Sequence, residues 1–87
     1  MALSLLALST GHYSLEFEPS DMQSVKAAIL AGFGQPEIQQ HAVAAEYRFG
    51  GNRFTFQNEW DDPCLISSSD EGDEILKAIY RILSPEK

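Results

Sequence analysis

Two stretches of alternating apolar and polar residues, on either side of a glycine pair, constrain the fold of this 87-residue chain most. Side chains of a strand point to the same face at every second residue, so residues 43–49 and 54–60 are predicted strands with one apolar face each. The glycine pair between them predicts a tight antiparallel hairpin. The alternating apolar positions are Val43, Ala45, Tyr47, Phe49, Phe54, Phe56 and Trp60.

Two registers of this hairpin keep the apolar positions together. A turn at residues 50–51 places Arg48 opposite Arg53, which is unfavourable because like charges then face each other. A turn at residues 51–52 instead pairs Arg48 with Thr55 and puts glycine where a type II′ turn favours it. We therefore expect the second register.

A second hairpin is predicted near the N-terminus. Residues 13–17 alternate clearly, and residues 3–8 lie before them across a two-residue turn at residues 10–11. In that register Leu6 faces Leu15, so the apolar side chains share one face. Residues 3–8 are either a strand or a frayed tail.

Two amphipathic helices complete the pattern. Ser20 and Gln23 have capping-box spacing at the start of the first helix, and Ser68 and Glu71 repeat it at the start of the second. Pro85 is predicted to end the second helix. The apolar stripes are Met22, Val25, Ile29 and Phe33 in the first helix, and Ile75, Leu76, Ile79, Ile82 and Leu83 in the second.

A short apolar segment at residues 64–66, after the break at Asp61, Asp62 and Pro63, predicts one more strand. The expected element order is ββαβββα, in which the first strand is uncertain. This order predicts an α+β two-layer sandwich, with a mostly antiparallel sheet of four to five strands and two helices on one face. Residues 1–87 are expected to form one domain.

An acidic run spans the last predicted strand and the start of the last helix. It contains no lysine or arginine and holds much of the acidic excess in a chain of net charge −7. Such a charge repels nucleic acid and anionic membranes, which excludes both as expected partners and leaves a basic protein, a cation or solubility. The run consists of Glu59, Asp61, Asp62, Asp70, Glu71, Asp73 and Glu74.

The acidic run has two interpretations. Its second half lies in the first turns of a helix, where the helix dipole stabilises negative charge and no partner is needed. Alternatively, both halves meet at one edge of the domain beside Trp60 and bind a basic protein. The pattern does not decide whether the two halves lie at the same end of the sheet or at opposite ends.

Residues able to support chemistry are few. His12 and His41 are expected to be exposed loop ends, and the single cysteine, Cys64, is expected in a core strand and excludes an intrachain disulfide. The acidic run lacks the EF-hand spacing, and no pair of base and nucleophile is visible. We therefore expect no metal, no cofactor and no catalytic activity.

A cytoplasmic protein is expected, since no apolar stretch is long enough to span a membrane.

The layout resembles that of small bacterial α+β proteins of unknown function, some of which are immunity proteins that neutralise secreted toxins through acidic surfaces. The segments that carry the resemblance are 13–18, 49–56 and 64–67, within a pattern that covers residues 13–84. The resemblance transfers no functional residue. It agrees with the main hypothesis, a small acidic, non-catalytic binding module that engages a basic partner through the acidic run and Trp60.

The alternative hypothesis is a homodimeric or small-ligand-binding scaffold that uses the exposed sheet face. In that case Arg48 and Arg53 could anchor an acidic group on this face.

Overall fold

Every strand in the described part of the chain joins one antiparallel sheet, and two helices lie on one of its faces. The computed structural model describes residues 3–42, 44–59 and 62–83. The strand order across the sheet is β1-β2-β6-β5-β4-β3, which confirms the predicted α+β class and two-layer arrangement. The elements are β1 (Ser4–Ala7), β2 (Tyr13–Glu16), α1 (Met22–Phe33), β3 (Glu37–Gln40), β4 (Ala45–Phe49), β5 (Asn52–Glu59), β6 (Asp62–Ser67) and α2 (Asp70–Leu83).

The sheet has one strand more than the sequence predicts. Strand β3 pairs with β4 at the sheet edge, so the element order is ββαββββα. All four β3 residues are exposed, and Ile38 keeps 43% of its surface in contact with solvent. A strand that buries neither face needs no apolar alternation, so periodicity could not reveal it.

The β4–β5 hairpin adopts the register that electrostatics disfavours. Its turn is formed by Gly50 and Gly51, and Arg48 lies directly opposite Arg53. Both glycines have positive φ, +63° and +78°, as a type I′ turn requires at its two central positions. The predicted turn at residues 51–52 is wrong, since a type I′ turn matches the twist of the strands and two exposed arginines repel weakly across solvent.

The first hairpin is also shifted by one residue. The Leu8 N–H donates to the His12 carbonyl at 2.8 Å, and the Gly11 N–H donates to the Leu8 carbonyl at 3.0 Å. The loop therefore has three residues, with Gly11 at φ +94°, which is the usual form of a three-residue hairpin loop. As a result Leu5, not Leu6, faces Leu15. The predicted strand exists, but Leu6 lies on the face away from the helices and is 41% exposed.

Both helices begin with a different cap from the predicted one. A short 3-10 turn precedes α1, and the Glu18 N–H donates to Asp21 Oδ2 at 3.3 Å. In α2, the Gly72 N–H donates to Ser69 Oγ at 2.9 Å, so Ser69 caps the helix. The predicted capping boxes, Ser20 with Gln23 and Ser68 with Glu71, are therefore wrong.

The core lies between the helices and the sheet. The predicted stripes supply Val25 and Ile29 from α1 and Leu76 and Ile79 from α2, all buried, whereas Ile82 is 55% exposed and lies outside the core. No helix among the described residues is both long and apolar enough to cross a lipid bilayer. The predicted helix stop at Pro85 lies outside the described residues. The buried sheet side chains include Leu15, Phe17, Ala45, Tyr47, Phe49, Phe54 and Leu65.

The β4–β5 turn packs closely against the two helices. A Cβ atom at Gly50 would lie 2.9 Å from Ile75 Cδ1 and 3.1 Å from Phe33 Cδ1, whereas one at Gly51 would meet nothing within 4 Å. The end of α1 and the start of α2 therefore meet at this turn, so the two helices run antiparallel.

We expect Gly50→Ala to lower the free energy of unfolding by about 1–2 kcal/mol, since alanine there has an unfavourable positive φ and the Ile75 and Phe33 side chains must also shift to admit its Cβ atom. Gly51→Ala has the same backbone problem in open space, and we expect it to cost about 1 kcal/mol. Urea unfolding of both variants measures the difference. Equal losses would contradict the close packing of the turn against Ile75 and Phe33.

Candidate functional site

The two halves of the acidic run lie at opposite ends of β6. The strand begins at Asp62, which pairs with Glu59 of β5, and it ends at Ser67, three residues before α2 begins at Asp70. At about 3.3 Å per residue, the two ends of β6 are roughly 17 Å apart. The interpretation in which both halves form one patch therefore does not fit the fold. Trp60 and Asp61 lie outside the described residues.

The first half of the run is joined by acidic residues from the end of β2 and the segment that follows it. Glu16 pairs with Cys64 of β6, and the Phe17 N–H donates to the Pro63 carbonyl at 3.1 Å. Glu18, which is exposed, follows directly at the end of the sheet where β6 begins. We call this set the acidic edge. It consists of Glu16, Glu18, Glu59 and Asp62.

The second half of the run is largely engaged within the protein. Glu74 Oε2 accepts from Lys77 Nζ at 3.2 Å, and Glu71 Oε1 accepts from Asn52 Nδ2 at 3.3 Å. Asp73 is buried, with 6% of its surface exposed, whereas Asp70 is exposed. This half therefore belongs mainly to the start of α2, as the helix-dipole interpretation predicts.

Asp73 links the first hairpin to α2 by hydrogen bonds. Its Oδ1 accepts from the Tyr13 N–H at 3.1 Å, and its Oδ2 accepts from His12 Nδ1 at 2.9 Å. Burial disfavours the charged form of Asp73, but hydrogen bonds, above all the one from His12, outweigh burial and lower its pKa. Lys77 adds a second link, because its Nζ lies 4.8 Å from the centre of the Tyr13 ring.

His12, Asp70 and Asp73 lie close enough together to reach one metal ion. One ligand atom from each residue lies within 4.8 Å of the other two. Each oxygen of Asp73 already accepts one hydrogen bond from the hairpin, and Asp70 is exposed. The cluster is explained by its structural role in joining the hairpin to α2.

The two histidines differ in environment. His41 is exposed, as the sequence predicts. The prediction for His12 is wrong, since its side chain is 27% exposed and bonds to a residue 61 positions away. Nothing in the local pattern around residue 12 signals that contact. Cys64 lies in β6 as predicted, but it is half-buried and in register with Gln57 and Glu16, on the face away from the helices.

Comparison with known proteins adds no relative, because no family model, curated protein or solved structure matches this chain.

We expect Asp73→Ala to lower the free energy of unfolding by about 2–3 kcal/mol, because the partly buried Tyr13 N–H and the His12 ring lose their acceptor. Asp70→Ala removes the same charge from the same helical turn but leaves those bonds intact. For this control we expect a loss below about 1 kcal/mol. Urea unfolding at pH 7 measures both, and a similar loss in the two variants would contradict the fastening role of Asp73.

The lowered pKa of Asp73 predicts a pH dependence of stability. The unfolded chain binds this proton at about pH 3.9, and the folded chain binds it only at lower pH. The stability that Asp73 contributes is therefore present above about pH 4 and is lost as the pH falls through the folded pKa. We expect unfolding free energy to fall more steeply between pH 5 and 2 in the wild type than in Asp73→Asn. Equal slopes would contradict this assignment.

Proposed function

We propose that this protein is a small, non-catalytic binding module, inhibitor- or immunity-like, that engages a basic protein through the acidic edge. The observation that carries the proposal is the pairing of β2 with β6, which adds Glu16 and Glu18 to the end of the sheet where Glu59 and Asp62 lie. Acidic residues that are far apart in sequence thereby lie at one end of the sheet.

The strands that meet at the acidic edge carry little positive charge of their own. Across β2, β5 and β6 the one basic residue is Arg53, and it lies at the opposite end of β5. Glu16 and Glu18 take part in none of the ion pairs formed among the described residues. Such a surface favours a partner of opposite charge and accelerates its association.

The surroundings of His12 and Asp73 fit a binding role without catalysis. His12 and Asp73 resemble a general base and the carboxylate that orients it. The neighbouring hydroxyl groups, however, form hydrogen bonds with the backbone. Thr10 Oγ1 accepts from the His12 N–H at 3.3 Å, and Ser67 Oγ donates to the Ser69 carbonyl at 2.9 Å. We therefore include no reaction in the proposal.

We also propose a cytoplasmic location, which suits a chain with a single cysteine.

One observation favours the alternative, a homodimer formed through the sheet face that the helices leave uncovered. Leu6, at the edge strand β1, is 41% exposed on this face. A dimer of this kind would have twice the chain mass in solution, and Leu6→Lys would return it to a monomer.

The binding proposal is tested by immobilising the protein and passing over it cell extract from its source, with an excess of lysozyme as a generic basic competitor. We expect one basic protein to be retained and to elute with salt. Its affinity, measured with purified components, should fall at least tenfold in Glu18→Lys/Asp62→Lys, because the partner then meets like charge.

The matched control is Asp70→Lys/Glu74→Lys, which makes the same change in net charge in the second half of the acidic run. We expect it to change the affinity less than threefold. Equal losses of affinity in the two double variants would show that only the net charge matters. Displacement of the retained protein by lysozyme would show that its binding is non-specific. Either result would contradict the proposal. Thermal unfolding of both variants verifies that they remain folded.

A further inference from the structure

The observed register of the β4–β5 hairpin creates an arginine pair on the uncovered sheet face. Arg48 and Arg53 are directly opposite each other, and side chains in such positions have Cβ atoms about 4.5–5.5 Å apart. Both residues are exposed. The sequence alone argues against this arrangement, because like charges directly opposite destabilise a sheet. The type I′ turn at Gly50 and Gly51 nevertheless imposes it.

The positive charge of the pair is only partly compensated. Arg48 Nε donates to Glu46 Oε2 at 2.7 Å, which fixes the guanidinium while its terminal nitrogens keep their N–H groups. Glu37 lies opposite Arg48 on β3 but forms no ion pair with it within 4.0 Å. Arg53 forms no ion pair with any described residue. Its guanidinium therefore offers a complete set of donors.

A shallow cavity lies beside the two arginines. Its volume is about 280 Å³, and Arg48, Phe49, Gly51, Asn52 and Arg53 line it. Gly51 adds no side chain to this cavity, and a Cβ atom at its position would meet no atom within 4 Å. The cavity is smaller than the sites that enclose whole ligands, but it admits a single functional group.

We infer that the arginine pair is a binding site for a side-chain carboxylate of a protein partner. The fork of N–H groups on Arg53 matches the two oxygens of a carboxylate, and the terminal nitrogens of Arg48 approach from the neighbouring strand. A monoanion fits better than a phosphate group, because Glu46 and Glu37 already supply negative charge on the adjacent positions. The site lies at the other end of the sheet from the acidic edge, so this inference does not rest on the proposed function.

The test uses a short blocked peptide, acetyl-Gly-Glu-Gly-amide, with acetyl-Gly-Gln-Gly-amide and inorganic phosphate as comparison ligands. Titration is followed by the ¹H–¹⁵N signals of Arg53 Nε and of the Gly51 and Asn52 amides. We expect saturable shifts of these signals with the glutamate peptide and at least tenfold weaker binding of the glutamine peptide and of phosphate. Equal binding of the two peptides, or tighter binding of phosphate, would overturn the carboxylate assignment.

Three variants separate a specific site from general electrostatics. Arg53→Gln should weaken binding of the glutamate peptide at least tenfold, whereas Lys26→Gln, which removes one exposed positive charge from α1, should change it less than twofold. Arg53→Lys keeps the charge but loses the fork of donors, so we expect an intermediate loss. Equal effects of Arg53→Gln and Lys26→Gln would overturn the site.

Unfolding measurements on Arg53→Gln provide an independent readout, because removal of a like-charge pair should leave stability unchanged or raise it. A marked loss of stability would instead assign Arg53 a structural role and would overturn the inference.

Discussion

The pairing of β2 with β6 is the contact on which the rest of this structure depends. It joins the N-terminal hairpin to the strands that follow α1, and its central pair, Leu15 and Leu65, is almost completely buried beneath the helices. The same pairing brings the Tyr13 amide to Asp73 at one end of the strands. At the other end it brings Glu16 and Glu18 to the start of β6. The structural link and the proposed binding surface therefore have one common origin.

The face of the sheet away from the helices differs in charge between its two ends, because both of its arginines lie at one end. Arg53 and Glu59 are six residues apart on β5, which corresponds to about 20 Å. This even spacing places both positions on the same face of the sheet. A partner that covers this face would meet arginines at one end and carboxylates at the other. Such a distribution favours one orientation of a bound protein over the reverse one, because reversal would place like charges together.

The sequence predicts most of the elements, since periodicity reports which residues are buried. The alternation around the glycine pair and the stripe of Val25 and Ile29 identify strands and a helix whose apolar faces form the core. Strand β3 leaves no such signal, because all of its residues are exposed. Register is harder to predict, since in both hairpins a glycine with positive φ decides it, and the conformation that a glycine adopts depends on the packing around it.

The candidate site is less predictable than the fold. Asp73 belongs to the acidic run in sequence, but its partners His12 and Tyr13 lie about sixty residues away. Local patterns carry no information about such contacts. For the same reason, Glu16 and Glu18 look like ordinary polar positions of a strand until the strand order places them beside β6. The arginine pair was visible in the sequence, but electrostatic repulsion alone gave the wrong register because turn geometry outweighs it.

The position of β6 between β2 and β5 also has a kinetic consequence. Strands β3, β4 and β5 pair with neighbours close in sequence, whereas β2 must wait for a partner near the other end of the chain. Closing so long a loop costs conformational entropy before any contact compensates for it, and folding slows as contacts become less local. During synthesis the N-terminal hairpin therefore leaves the ribosome with Leu5 and Leu15 uncovered, and they remain so until α2, which packs against β1 and β2, has emerged.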